Sequence, residues 1–267
     1  MQNLEQRLAE AKKNNLSVLQ TLNMVREYLQ ILVLKAIYQS PYKKSLSFMG
    51  GTCLRICYDL KRYSEDLDFA LDQKVKGYSF QEINETAVRF LKQNGFEADV
   101  HVRDDKTVHK SFIRIRDILP RLGKEFRKDQ KLHIKLEVDT NPIRITHKEI
   151  EIHFVVKFDE NFPILKQTNE VLFAGKVLAV LNRVYTKGRD FYDIYWFLQK
   201  RVEPNWKTLK KTTGIKSERE LKLLLLERAK KNITPQKLRY DLQNFFLDRQ
   251  FVTDFSKNYL EIIKKYL

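Results

Sequence analysis

A glycine turn followed by a strand with alternating acids restricts the possible folds more than any other pattern in the chain. The mostly apolar run of residues 45–49 predicts a short buried strand. Gly50 and Gly51 then predict a tight turn, and Thr52 is a suitable N-cap for a short helix. Residues 65–71 alternate polar and apolar side chains, which predicts a second strand.

Asp66 and Asp68 lie two positions apart in this second strand, so their side chains share one face. Two neighbouring carboxylates repel each other unless a cation lies between them, and Mg²⁺ prefers such hard oxygen ligands. A glycine turn at a helix start presents backbone N–H groups that suit a phosphate. Each feature alone also fits an ordinary turn or a solvated strand. Together, and in this order, they predict a site for nucleotidyl transfer.

The two motifs of this stretch, G-G-T-C-L-R and S-E-D-L-D-F, resemble the signature of the AbiEii-like nucleotidyltransferases. These are toxins of type IV, abortive-infection toxin–antitoxin systems, related to the MenT toxins and to the polymerase β-like nucleotidyltransferase superfamily. The resemblance implies an α+β fold, a mixed sheet with flanking helices, followed by a helical C-terminal part. It also implies an NTP substrate and Mg²⁺, as two ions, held by Asp66, Asp68 and a third carboxylate.

A third carboxylate is expected from residues 131–139, which alternate as a strand and overlap the motif K-L-E-V-D-T-N-P of residues 135–142. This segment resembles the family sequence at the same place. Glu137 is the first choice for the third metal ligand and Asp139 the second, and either could serve as general base. A solvated sheet face is the alternative interpretation of the two acids.

The second half of the chain contains an A-G-K helix and then Y-T-K-G-R-D-F-Y-D, which resembles the second signature of the family. The resemblance implies that Lys176, with Asp190 or Asp193, takes part in catalysis. Lys187 and Arg189 flank a glycine, where cations can be held close to the phosphates of a nucleotide. Ordinary salt bridges within the helix are the alternative for these charges.

The nucleotide-binding residues expected in the first half lie at the glycine turn and in the helix after it. Gly50, Gly51 and Thr52 would surround the phosphates with backbone N–H groups and a hydroxyl. Arg55 lies one helical turn further on and would assist them.

The chain is strongly basic, with 50 Lys and Arg against 34 Asp and Glu, a net charge of +16. Such a charge favours an acidic partner, and nucleic acid is the first candidate. Resemblance to the family suggests RNA as acceptor, particularly the 3′ end of tRNA, and a cognate antitoxin protein as partner. A protein hydroxyl as acceptor stays open.

The chain shows no apolar run near the roughly 20 residues that a membrane span needs, so no membrane partner is expected. Its first residues lack the pattern of a signal peptide, which predicts a cytoplasmic location. Two domains are expected. Residues 1–165 would form the nucleotidyltransferase domain with a helical lead-in, and residues 166–267 a helical domain that contributes to the active site.

Two functions of other classes fit the same residues. The first is a catalytically silent module that binds RNA or protein in a nucleotide-dependent manner. Such a relative is expected to lose an acid, and all the candidate acids are present. The second is a nuclease that uses the same carboxylates, which would need neither the glycine turn nor Lys187.

Overall fold

The chain forms two compact units in a computed structural model that describes residues 2–72 and 76–266. The sheet unit comprises Met1–Asp59 and Tyr63–Lys166. The helical unit comprises Leu60–Arg62 and Gln167–Leu267. The segment Leu60–Arg62, which comes shortly before the predicted acidic strand in the chain, thus belongs to the helical unit. The roles that the sequence predicts for the two halves stay predictions.

The sheet unit is built on seven strands in the order β3-β4-β5-β2-β1-β7-β6. Pairs β1–β2, β3–β4 and β4–β5 are antiparallel, whereas β2–β5 and β1–β7 are parallel. The sheet is therefore mixed, and the predicted α+β class is confirmed. The strands are β1 (Leu46–Met49), β2 (Asp66–Leu71), β3 (Ala98–Arg103), β4 (Val108–Ile115), β5 (Leu132–Asp139), β6 (Ile150–Lys157) and β7 (Glu160–Gln167).

Eleven α-helices complete the described part of the chain. In the sheet unit they are α1 (Gln2–Lys13), α2 (Val18–Gln39), α3 (Gly50–Cys57), α4 (Phe80–Gln93) and α5 (Leu119–Leu122). In the helical unit they are α6 (Asn169–Asn182), α7 (Gly188–Gln199), α8 (Trp206–Thr213), α9 (Glu218–Asn232), α10 (Pro235–Leu242) and α11 (Arg249–Tyr266). No helix among these residues is both long enough and apolar enough to cross a membrane.

The two faces of the sheet differ in polarity because β5 alternates strictly. Leu132, Ile134, Leu136 and Val138 are fully buried on one face, and α2 and α4 pack against that side of the sheet. The other face of β5 presents residues 133, 135, 137 and 139, which are charged or polar. Since partners in register share a face, the acids of β2 also belong to this polar face.

Two details of the sheet differ from the sequence prediction. Helix α3 begins at Gly50, directly after β1, and Met49 is its N-cap, so the prediction of Thr52 as N-cap was wrong. No strand is predicted from the sequence at residues 160–167, where the structure has β7. That strand pairs with β1 through Phe48 and Lys166, a long-range contact that a local pattern containing Pro163 does not reveal.

The helical unit has an aromatic core. Phe173 of α6 stacks on Phe197 of α7 with ring centroids 4.7 Å apart. Tyr192 of α7 makes edge-on contacts with Phe246 and with Phe255 of α11. Each such pair adds about 1 kcal/mol beyond the burial of area, so α7 is anchored on two sides. The charged residues of α7 are therefore held on a rigid element.

Candidate active site

Asp68 lies directly against the glycine turn. It is the register partner of Met49, the residue before Gly50. Gly50 has a φ of +80°, and a Cβ built on it would lie 2.2 Å from Oδ2 of Asp68. Both facts require glycine at this position. The carboxylate of Asp68 consequently lies at the amino end of α3, where the helix dipole favours a negative charge.

Thr52 and Arg55 tie α3 to its neighbours. Thr52 is fully buried, and its hydroxyl donates to the backbone carbonyl of Asp66. The Nε of Arg55 donates to Oε1 of Glu27 on α2 at 2.7 Å. The guanidinium of Arg55 also lies 4.3 Å from the ring centre of Tyr63. Contacts of Gly50, Gly51, Thr52 and Arg55 with nucleotide phosphates stay predictions.

Glu137 is the register partner of Asp68 on the neighbouring parallel strand. Its carboxylate accepts from Lys135 at 2.9 Å and lies 3.1 Å from the ammonium of Lys110 on β4. Burial alone would raise the pKa of Glu137, but the hydrogen bonds and charges of the two lysines outweigh it and lower that pKa. Glu137 is therefore ionised at neutral pH and holds both lysines beside the acids of β2.

Lys135 is a cation beside the acidic strand. It is the register partner of Asp66. Burial would lower the pKa of Lys135, yet the hydrogen bond to Glu137 and the charges of Asp66, Glu137 and Asp68 raise it. A protonated ammonium thus already balances part of the negative charge on this face of the sheet.

Asp139, the second candidate for the third carboxylate, has a different role at the end of β5. It pairs in register with Ala70, and its Oδ1 accepts from the backbone N–H of Asn141 at 3.0 Å. The carboxylate therefore closes the turn after the strand. Glu137 lies beside Asp68, and Asp139 lies two residues further along β5. Which of the two is the third carboxylate stays a prediction.

A divalent cation finds its most suitable donors in Asp66 and Asp68. Both carboxylates are half-buried on one face beside the turn at Gly50, and their oxygens are hard ligands. Among the described residues, no group of three or more His, Cys, Asp or Glu side chains is arranged to hold a metal ion. Glu137 stands in register beside Asp68 and holds Lys135 and Lys110 through its Oε1.

A cleft of about 710 Å³ adjoins Asp66 and Lys135 on the polar face of the sheet. It is lined by strands β4 and β5, by Leu22 and Arg26 of α2, and by the connection that leads into β5, residues 116–131. Its cationic side chains are Arg26, Arg114, Arg127, Lys131 and Lys135, and its aromatic ones are Phe112, Phe126 and His133.

The cations of the cleft are held in place by acids. Lys131 donates to Asp99 at 3.0 Å, and Arg114 donates to the same carboxylate. Burial would raise the pKa of Asp99, but these two partners lower it. Burial and the charges of Arg114 and Lys131 lower the pKa of His133. His133 is therefore neutral at pH 7 and offers an uncharged ring beside fixed positive charges.

The predicted acids of the second signature are buried in the helical unit with three cations. Arg62 binds Asp193 through two nitrogens, each at 2.6 Å. Lys176 lies 2.8 Å from Asp193 and 3.2 Å from Asp190. Arg183, just past the end of α6, donates to Asp190. We call Arg62, Lys176, Arg183, Asp190 and Asp193 the ion cluster.

The ion cluster is stable in its charged form. Burial would raise the pKa of Asp193, but Arg62 and Lys176 lower it. Burial would likewise lower the pKa of Lys176 and of Arg62, and the aspartates raise both instead. All three groups stay ionised at neutral pH, and the cluster clamps α6, α7 and the Leu60–Arg62 segment together.

Lys187 and Arg189 lie at the start of α7. Lys187 is its N-cap and is exposed. The guanidinium of Arg189 lies 4.3 Å from the ring centre of Phe245. The N–H of Gly188 donates to Asp241 at 2.6 Å, and a Cβ at this glycine would lie 2.9 Å from Leu238. Contacts of Lys187 and Arg189 with phosphates stay predictions.

Sequence reasoning missed three cations at these sites. Lys135 is not among the predicted site residues, although its spacing from Glu137 already places both on one face. Lys110 meets Glu137 only through the register of β4 on β5. Arg62 is 2% exposed despite lying in a basic turn, and only the tertiary fold shows its pairing with Asp193.

The chain is similar to a protein family and to several solved structures, among them two from Helicobacter pylori. Residues 32–267 match the family model described as nucleotidyl transferase AbiEii toxin, type IV TA system. No curated protein matches the chain. The crystal structure of JHP933 from Helicobacter pylori is 20% identical with a TM-score of 0.55, covering 91% of this chain and 92% of that one. A candidate nucleotidyltransferase from H. pylori is 20% identical with a TM-score of 0.53, covering 91% and 94%.

Gly50→Ala should destabilise the protein by about 3 kcal/mol, because the new methyl group meets Asp68 and the backbone has a left-handed φ. Gly214→Ala is the matched control. Gly214 has a φ of +78° with no heavy atom within 4 Å of its added Cβ, so only the backbone penalty of about 1 kcal/mol applies. Urea denaturation followed by circular dichroism measures both. An equal loss of unfolding free energy in the two variants would show that the carboxylate of Asp68 does not crowd the position of Gly50.

Asp193→Asn should cost about 3 kcal/mol, because Arg62 and Lys176 lose the carboxylate that compensates their burial. The folded pKa of Asp193 is lowered, so its contribution is present above the unfolded pKa of about 4 and is lost only as the pH falls through the folded pKa. Thermal denaturation at pH 5 and pH 7 should therefore show the same deficit. Asp254→Asn, at an exposed aspartate of α11, should be neutral.

Proposed function

Because the chain belongs to the AbiEii family of nucleotidyl transferase toxins of type IV toxin–antitoxin systems, we propose that it transfers a nucleotidyl group from an NTP to RNA. The acceptor that we propose is the 3′ end of a tRNA. Modification of this end would block translation, and growth would stop until a cognate antitoxin counteracts the toxin. We propose a cytoplasmic location, where tRNA and NTP are both present.

The close approach of Asp68 to Gly50 is the observation that carries this proposal. It brings a carboxylate pair and the positive end of a helix to one point on the polar face of the sheet. A triphosphate at the N–H groups of Gly50 and Gly51 would lie next to Asp66 and Asp68. A reacting phosphoryl group needs this combination of fixed dipoles and carboxylates.

A divalent cation, Mg²⁺ in our proposal, would be held by Asp66 and Asp68 and would neutralise charge on the triphosphate. Glu137 would join it as a ligand by exchanging its lysine partners for the ion. Lys135 would then be available for the phosphates that the nucleotide brings. The sheet unit thus supplies a cation of its own besides the metal.

Glu137 is poorly suited to take a proton from the acceptor. Its pKa is lowered by Lys135 and Lys110, and a carboxylate with a lowered pKa is a weaker base. We therefore assign Glu137 to positioning the two lysines and the cation. Asp139 accepts from Asn141 and pairs in register with Ala70, four residues along β2 from Asp66, so it would serve as general base only for an acceptor that reaches that end of the strand.

The cleft beside Asp66 is the proposed site of the acceptor. Its rings, Phe112 and Phe126, would stack on unpaired bases, and Arg114, Arg127 and Lys131 would contact phosphates. A single-stranded 3′ end can enter such a cleft, whereas a duplex cannot present its bases to the rings. The position next to Asp66 would bring the terminal hydroxyl to the reacting phosphate.

The ion cluster leaves Lys187 as the cation of the second signature best suited to a phosphate. Lys176 is held by Asp190 and Asp193, whereas Lys187 is exposed at the start of α7. We propose that Lys176 and the two aspartates keep α7 in place, and that Lys187 and Arg189 bind the nucleotide.

Asp68→Asn should lower the transfer of label from an α-labelled NTP to total RNA by about a hundredfold or more. The amide keeps the shape of the side chain but removes its charge. Asp254→Asn should retain full activity. Gel electrophoresis with each of the four NTPs in the presence of Mg²⁺ identifies both the nucleotide and the acceptor. A chain that labels no RNA but still binds NTP would instead be a silent binding module.

Phe126→Ala should raise the KM for the acceptor RNA about tenfold, since one stacked base contributes about 1–3 kcal/mol. The KM for the NTP should stay the same, because Phe126 lies in the cleft and not at the glycine turn. Tyr240→Ala removes an aromatic ring that is 75% exposed in the helical unit and serves as control. An unchanged KM for RNA would remove the acceptor from the cleft.

A further inference from the structure

The edge strand β6 carries three large apolar side chains on one open face. Ile152 is 67% exposed, Phe154 61% and Val156 75%. The strand is the last in the sheet order, with β7 as its neighbour on the inner side. An open strand edge next to a row of apolar side chains is a surface on which another strand can add.

The backbone of β6 is oriented to accept such a strand. It is joined to β7 by a two-residue turn, and both turn residues, Phe158 and Asp159, have positive φ, as a tight hairpin requires. In such a hairpin the residues next to the turn pair by hydrogen bonds, and the pattern alternates along the strand. The N–H and C=O groups of Ile152, Phe154 and Val156 therefore point away from β7, toward the open edge.

We propose that β6 pairs with β6 of a second copy of this chain, antiparallel about a twofold axis through Phe154. The two sheets would join edge to edge into one. Under a twofold axis, if a residue of one strand contacts a second residue of the partner strand, the same contact is repeated with the two copies exchanged. Phe154 would meet Phe154 of the other copy, and Ile152 would meet Val156.

The sequence of β6 is complementary to itself in this register. On the reverse face, Glu151 comes opposite Lys157 at both ends, so opposite charges face each other. An axis through Ile152 would instead place Val156 opposite Lys148, and an axis through Val156 would place Ile152 opposite Glu160. An axis through His153 would also match apolar side chains, Ile150 with Val156 and Ile152 with Phe154, but Glu151 would then face Val155. Only the axis through Phe154 joins the apolar match to the pairing of Glu151 with Lys157.

Glu151 and Lys157 can serve the second copy without leaving their present partners. Glu151 binds Lys166 and is 48% exposed at its side chain. Lys157 lies 2.9 Å from Glu27 and is 32% exposed. Each keeps accessible surface for a further partner. The net charge of +16 opposes association of two copies, and salt screens this repulsion, so physiological ionic strength favours the dimer.

A pair of charge variants at Phe154 tests the twofold axis directly. Phe154→Lys places two ammonium groups face to face, and Phe154→Glu places two carboxylates face to face, so each variant alone should be monomeric. An equal mixture of the two should recover the dimer, because opposite charges then meet on the axis. Sedimentation velocity of the full chain over roughly a hundredfold range of concentration measures the mass.

The wild-type chain should move from the mass of one copy to that of two as its concentration rises. Tyr240→Lys, a matched change at an aromatic residue that is 75% exposed, should behave like the wild type. A wild-type chain that stays monomeric throughout would overturn the proposal and leave β6 to a different protein. A mixture of the two charge variants that stays monomeric would overturn the register.

A cysteine at the same position gives a second test that does not depend on charge. Paired residues that share hydrogen bonds have Cα atoms about 5.5 Å apart, which suits a disulfide. Phe154→Cys should therefore form a covalent dimer under mild oxidation, whereas Tyr240→Cys should not. Equal cross-linking of the two variants would contradict pairing through β6.

Discussion

The contact between Gly50 and Asp68 is the constraint on which the candidate site depends. A Cβ at Gly50 would lie 2.2 Å from the carboxylate, so β2 can carry an acid here only because the turn carries no side chain. The same turn starts α3, and the hydroxyl of Thr52 then binds the carbonyl of Asp66. Strand, turn and helix are thereby locked into one arrangement. The acid pair and the amino end of the helix cannot be moved apart without breaking this contact.

Charge compensation organises both units, in two different ways. On the polar face of the sheet the acids of β2 and Glu137 stand beside Lys135 and Lys110, on a half-exposed surface. In the proposed function these lysines exchange partners when a nucleotide or a cation arrives. In the helical unit Asp193 is fully buried and held by Arg62 and Lys176. Removing one of these side chains would leave the remaining charges buried without compensation. The cluster therefore stabilises the packing of the helical unit.

The two proposals assign the basic cleft and the open edge of the sheet to different partners. The cleft next to Asp66 combines cations with aromatic rings, as single-stranded nucleic acid requires. The edge strand β6 combines exposed apolar side chains with backbone N–H and C=O groups that point toward the open edge. Its two ends carry opposite charges, Glu151 and Lys157. In the described part of the chain, a polyanion would find no cluster of cations on β6, and an apolar strand would find no open strand edge in the cleft. The two surfaces can therefore be tested independently.

The sequence alone determined the α+β class, the family resemblance and the alternation that puts Asp66 with Asp68 and Glu137 with Lys135, because these depend on local periods and motifs. It placed β5 closely, since the apolar pattern of this strand is complete within the segment. The tertiary structure alone decided the register of Glu137 on Asp68, the inclusion of β7 in the sheet and the pairing of Arg62 with Asp193. Each of these joins residues that are far apart in the chain. Only the packing of the folded units selects such partners, and no local pattern records it.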